Sequence, residues 1–119
     1  MRTATIHIRK ISDALAAART GFLASWKTSE YQGEHFDFES PAALFRVLTP
    51  KRWELIECLQ QHGPIGVRAL ARALKRDVKR VHEDASAMIA IGMVEKLPDG
   101  KLVVPFDEIR ADFVMRSAA

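Results

Sequence analysis

Hydrophobic positions change their period several times along this chain, and each change marks an element. Over Thr3–Arg9, Ala4, Ile6 and Ile8 alternate with Thr5, His7 and Arg9, the period of a half-buried strand. From Ser12 to about Trp26 the spacing lengthens. Ile11, Leu15, Ala18, Phe22 and Trp26 recur at three- and four-residue steps and share one helical stripe. Ser12 suits the N-cap, and Gly21 weakens this helix by about 1 kcal/mol relative to alanine. After a polar loop over 27–33, Phe36 and Phe38 alternate with His35, Asp37 and Glu39, a second short strand able to pair with the first. Ser40-Pro41 and Thr49-Pro50 each place a cap residue before a proline that needs no N–H partner, so two helices meet near Leu48. The second carries Trp53, Ile56 and Leu59 on its apolar side. Gly63 is expected in the left-handed αL conformation at its end, and Pro64 prevents continuation.

Two more helical patterns follow. The first spans about Gly66 to Leu74 with Val67, Leu70, Ala71 and Leu74 on one face. Lys75-Arg76-Asp77 breaks it, and Asp77 caps a second helix from Val78 to about Ile91 that stops at Gly92. Its apolar stripe is Val78, Val81, Ala85, Met88 and Ile89, with Lys79, Arg80, Glu83, Ser86 and Ala87 opposite. Residues 93–97 and 101–104 are β-capable runs joined by Pro98-Asp99-Gly100, a hairpin signal. Over 107–115 the alternation of Ile109, Ala111, Phe113 and Met115 marks a last strand.

Charge sharpens this picture. The 119 residues carry a net charge of +3, but 64–82 alone hold six basic residues and one acid, while the rest of the chain is slightly acidic. A concentrated basic stretch is the footprint of polyanion binding, although a solvated helix face produces the same count. The one cysteine, Cys58, excludes a disulfide framework and fits a reducing compartment, so the cytoplasm is expected. No apolar run approaches the roughly 20 residues of a membrane span. Cys58 and His62 stand one helical turn apart without a second ligand pair, so no metal or cofactor is implied. No phosphate-binding glycine loop, serine elbow or Cys-His nucleophile pattern occurs, and an enzyme is not expected.

Helix, basic break, amphipathic helix, glycine stop and hairpin, in that order, spell a winged helix-turn-helix. The run from Val67 to Asp84, with its Arg76-Asp77 break and Val81-His82-Glu83-Asp84, followed by Ile91-Gly92-Met93-Val94, resembles a MarR-like family of predicted prokaryotic transcriptional regulators. Leu48 to Leu55 upstream and Val104-Pro105-Phe106-Asp107 downstream are also similar to it. The resemblance covers about Phe36 to the C-terminus. Because members of that family are often encoded beside small toxin genes, it also implies a possible antitoxin role with a cognate toxin as partner.

The expected architecture is therefore α+β, with residues 1–39 a strand-helix-strand extension for dimerisation or partner binding. Residues 40–119 form the winged helix-turn-helix. The expected function is sequence-specific binding of double-stranded DNA as a homodimer, in an autoregulatory transcription factor. Lys79, Arg80 and Glu83 are expected at base edges, and Arg68, Lys75, Arg76 and Lys101 at phosphates. Glu83 equally suits simple balancing of Lys79 one turn earlier. His82, at the edge of the stripe, reads as a buried histidine rather than a base contact, and Asp84 as the partner of a basic neighbour. Two other readings stay open: a protein-docking module, and an RNA-binding protein, the latter disfavoured by the scarcity of aromatics near the basic stretch.

Overall fold

The opening alternation forms strand β1, Thr3–Ile8, in the computed structural model, which describes residues 2–9, 15, 18–20 and 33–117. β2 (Glu34–Phe38) and a C-terminal strand, Glu108–Ala111, flank β1 on its two sides, both parallel to it. The register sets Phe36 beside Ile6, Phe38 beside Ile8, and Ile109 beside Ala4. Period two then gives the sheet one apolar face, on which Ala4 and Ile6 are buried. Thr5, His7, His35, Asp37 and Arg110 lie on the other face. Arg9 pairs with Asp37, and Arg2 with Glu34. Where the C-terminal strand approaches, the Asp107 N–H donates to the Arg2 carbonyl and the Arg2 N–H to Asp107 Oδ2, each at 2.9 Å.

Parallel neighbours cannot be joined by a tight turn, so the chain between β1 and β2 must cross over. The helix expected over Ser12–Trp26 falls in that crossover. Leu15 and residues 18–20 are helical and exposed, while Ile11, Ser12, Gly21, Phe22 and Trp26 lie outside the described residues. After β2, Ser40 Oγ accepts the Ala43 N–H at 3.0 Å and starts α1, Pro41–Val47, in which Leu44 is buried.

The chain divides into two units: residues up to 47 together with those from 107 onward, and residues 48–106. This moves the boundary expected at residue 39. The C-terminal segment, expected with the second half of the chain, pairs with β1 instead, because its apolar alternation matches the open edge of a sheet already begun by the first residues.

The second unit is built from α2 (Pro50–His62), α3 (Val67–Leu74), α4 (Val78–Ile91), β3 (Glu95–Lys96) and β4 (Leu102–Val103); the C-terminal strand is β5. Thr49 Oγ1 caps α2 by accepting the Arg52 N–H at 3.4 Å. Leu59, Leu70, Val81, Met88, Met93 and Val94 are fully buried and carry its core. Gly63 ends α2 at φ 74°, ψ −161°, not in the expected αL region but in an extended conformation open essentially to glycine alone. β3 and β4 form an antiparallel hairpin, with Leu97 donating to the Lys101 carbonyl at 2.8 Å. Ile65 exchanges backbone hydrogen bonds with Leu102 at 2.8 and 3.1 Å, so the stretch between α2 and α3 backs the hairpin as a one-residue third strand. The protein is α+β, and among the described residues no helix is long and apolar enough to cross a membrane.

On the polar face of the first sheet, His7 Nε2 and His35 Nδ1 stand 2.8 Å apart with their rings stacked. Such a bond requires at least one ring nitrogen without a proton. Burial, then the charges of Arg9 and His35, lower the His7 pKa below its ordinary 6.5, and Asp37 only partly opposes them. Because the folded state disfavours the proton, stability is fully present above pH 6.5 and declines as pH falls from there toward the lowered value. Thermal unfolding between about pH 7.5 and pH 5.5 should show this loss in the native protein and a flatter profile in His7→Gln. An unchanged profile in the variant would remove the histidine pair as its cause.

Candidate nucleic-acid interface

α4 takes its orientation from its buried side. Val81, Ala85 and Met88 are buried, which turns Lys79, Arg80, His82, Glu83 and Ser86 outward to solvent. Val78, expected on the buried stripe, is 37% exposed because it opens the helix, before the core closes over it. The helix begins where Asp77 Oδ2 accepts the Arg80 N–H at 3.2 Å. Its first turn thus carries two cations at the end where free backbone N–H groups already favour an anion.

The turn before α4 is a Schellman closure. The Arg76 N–H bonds to the Ala71 carbonyl at 3.0 Å and the Lys75 N–H to that of Arg72 at 3.1 Å, which requires Lys75 in the αL region at φ 55°, ψ 48°. α4 ends in the same kind of closure, where Gly92 meets the requirement at φ 89° without a side-chain clash. Lysine at the equivalent position is strained, and among the described residues it is the only non-glycine with positive φ.

Arg76 does not join the exposed cations. Its side chain is 12% exposed, and its Nη2 donates to Asp84 Oδ2 at 2.7 Å, while Arg52 Nε donates to Asp84 Oδ1 at 3.1 Å. The side chain expected at a phosphate is thus engaged within the unit, because Asp84 lies two turns into α4 on the side that faces α2 and the turn. Burial by itself raises the Asp84 pKa, but the hydrogen bonds and charges of Arg76 and Arg52 outweigh it and hold the carboxyl below its ordinary value. The sequence pairs Asp84 with some basic neighbour; Arg52, 32 residues away, gives no local signal of being that neighbour.

Arg68, Lys75, Lys79, Arg80, Glu83 and Lys101 are all exposed on the second unit. His82, expected to be buried, is exposed as well. It sits at an open cavity of about 90 Å3 where α4 meets the start of α3 and the hairpin. Val67, Ala85, Ile89 and Leu102 line it with apolar atoms, and His82, Ser86 and Lys96 with polar ones. The hairpin therefore stands beside the outward side of α4, and His82 extends the polar surface that the sequence located. The signal available was the His82–Ser86 pair, one turn apart on the edge of the stripe. Among the described residues no group of three or more metal-ligating side chains is gathered.

Asp84→Asn should destabilise the second unit by about 2 kcal/mol, since it removes a charge from two charge-assisted hydrogen bonds in a partly buried setting. In the native protein this contribution is present above the ordinary carboxyl value of 3.8 and is lost as pH falls through the lowered one. Urea unfolding at neutral pH and at about pH 3 would check both statements, because the gap between native and variant must shrink in acid.

Comparison with curated proteins and with solved structures gave no match. A family match does exist, running from the last residue of α1 through β5 and so including all of α2, α3, α4 and the hairpin. With residues 47–111 matched, more than half of its length, the chain belongs to the HVO_A0114 family.

Proposed function

We propose that the protein is a sequence-specific DNA-binding regulator that works as a homodimer, with its second unit acting as a winged helix-turn-helix. The observation that carries this reading is the outward side of α4. It presents Lys79, Arg80 and Glu83 opposite a buried stripe, beside a hairpin bearing Lys96 and Lys101. A helix of 14 residues is about 21 Å long, and it is amphipathic, with its cations in the first turn, so its N-terminal half fits a major groove while the hairpin reaches the neighbouring backbone. In this reading Arg80 and Lys79 donate to base acceptors and Glu83 accepts from a cytosine amine. Arg68, Lys75 and Lys101 contact phosphates. Arg76 holds the turn through Asp84 rather than touching DNA.

Lys75 supports the assignment independently. A glycine would relieve the αL strain, so the lysine side chain must serve something other than the turn. Lys75→Gly should raise stability by about 1 kcal/mol and at the same time weaken DNA binding equally on all sequences. Opposite signs in a melting curve and a binding isotherm would identify a residue kept for its charge. If both moved together, the charge would have no role in binding.

Fluorescence anisotropy on duplexes tiled across the gene's own promoter, with a scrambled duplex as control, tests the function itself. One tile should bind about a thousandfold more tightly than the control, and Arg80→Ala should weaken that tile by about 1–3 kcal/mol while relaxing sequence choice. Weak binding to every duplex, fading steeply with salt, would instead mean that the face is only electrostatic and would favour an acidic protein partner.

A further inference from the structure

We infer that the segment from Asp107 to Met115 is the seam of the homodimer, two copies pairing antiparallel across a two-fold axis at Ala111. This rests on the homodimer proposed above and names the surface that forms it. The strand order β2-β1-β5 leaves β5 at an edge, and among the described residues only β1 pairs with it. A bare edge offers a row of unmade backbone hydrogen bonds, and natural sheets blunt such edges with lysine, proline or bulges. Residues 107–115 contain no lysine, proline or glycine.

The strand also stops before its sequence pattern does. β5 ends at Ala111, yet Phe113 and Met115 continue the apolar alternation of Ile109 and Ala111. Val114 and Met115 are left 70% and 78% exposed. Strand-patterned residues without a strand partner have unmet pairing capacity on both backbone and side chains.

Charge selects the partner and the register. Glu108, Arg110 and Asp112 share one face and alternate in sign, so the segment is complementary to its own antiparallel copy. Centred on Ala111, the pairing sets Arg110 opposite Asp112 of the partner subunit and Ile109 opposite Phe113 of the partner subunit, each twice by symmetry. Ala111 meets itself at the axis, where a small side chain suits close approach. Centred on Arg110, the same strands would oppose two arginines and set Glu108 against Asp112. Centred on Ile109, opposite charges meet but Phe113, Val114 and Met115 run past the overlap into Pro105 and the residues before it. The Ala111 register alone covers 107–115 in full and joins two three-stranded sheets into one of six.

Sedimentation equilibrium of the full chain, without DNA and at low ionic strength, should show a dimer. Arg110→Asp and Asp112→Arg should each weaken it by about tenfold or more, since every cross-strand attraction becomes a repulsion, and the double reversal should restore it. In a Cys58→Ser background, Ala111→Cys should oxidise to a covalent dimer, because directly opposed residues lie about 4.5–5.5 Å apart. Glu108→Cys should not, its two copies being roughly 20 Å apart in this register. Circular dichroism of each variant separates loss of pairing from loss of fold. A monomeric native protein, a dimer indifferent to both reversals, absence of rescue in the double variant, or no crosslink at 111 would each overturn the seam. Binding of a monomeric variant to an isolated half-site would keep the DNA reading even then. Crosslinking at 111 in a protein that prefers no promoter tile would keep the seam and remove the DNA reading.

Discussion

One carboxylate, that of Asp84, receives a guanidinium from α2 and another from the α3–α4 turn, and so ties together three successive pieces of the second unit. Hydrophobic burial of Val81, Ala85 and Met88 fixes which side of α4 faces inward, but an apolar stripe is tolerant of rotation and sliding by a few degrees or a fraction of a turn. Two directional charge-assisted bonds on opposite oxygens are not tolerant in that way. They set how far α4 stands from α2, and hence how its outward residues are presented. One cost accompanies this arrangement: Arg76 Nη1 is buried without a hydrogen-bond partner, so the pairing contributes less net stability than its two bonds suggest. The group is partly buried, and its two bonds constrain direction as well as distance.

Much of the second unit was legible because its signals are local. Each cap, the Lys75–Asp77 break, the glycine stop at 92 and the Pro-Asp-Gly turn depend on backbone chemistry within four residues, and the observed bounds of α3 and α4 follow them. What escaped the sequence was set by distant partners. Arg76 looks like its exposed neighbours in a basic run, and only the fold brings Arg52 and Asp84 to it. His82 lies at an ambiguous angle on the helical wheel, where the position of the hairpin decides whether it is covered. The first unit was readable as strands but not as a topology: nothing in the alternation of residues 3–8 or 107–115 states that the two segments are neighbours or that they run parallel.

The two helix ends meet one backbone requirement in different ways. Gly92 satisfies the αL requirement without strain, whereas Lys75 satisfies the same requirement against its own sterics. The lysine therefore carries a backbone cost that a glycine in its place would not.

The sheet of the first unit has a temporal consequence. Its central strand is made within the first eight residues, while one flanking strand follows at residue 34 and the other only at residue 108. The second unit is a single uninterrupted stretch, rich in local helical contacts, and it emerges complete between those events. On a ribosome adding about 5–20 residues per second, β1 must wait several seconds for its last neighbour while the helical unit can already close. The chain is thus completed from its middle outward, the helical unit before the sheet of the first unit.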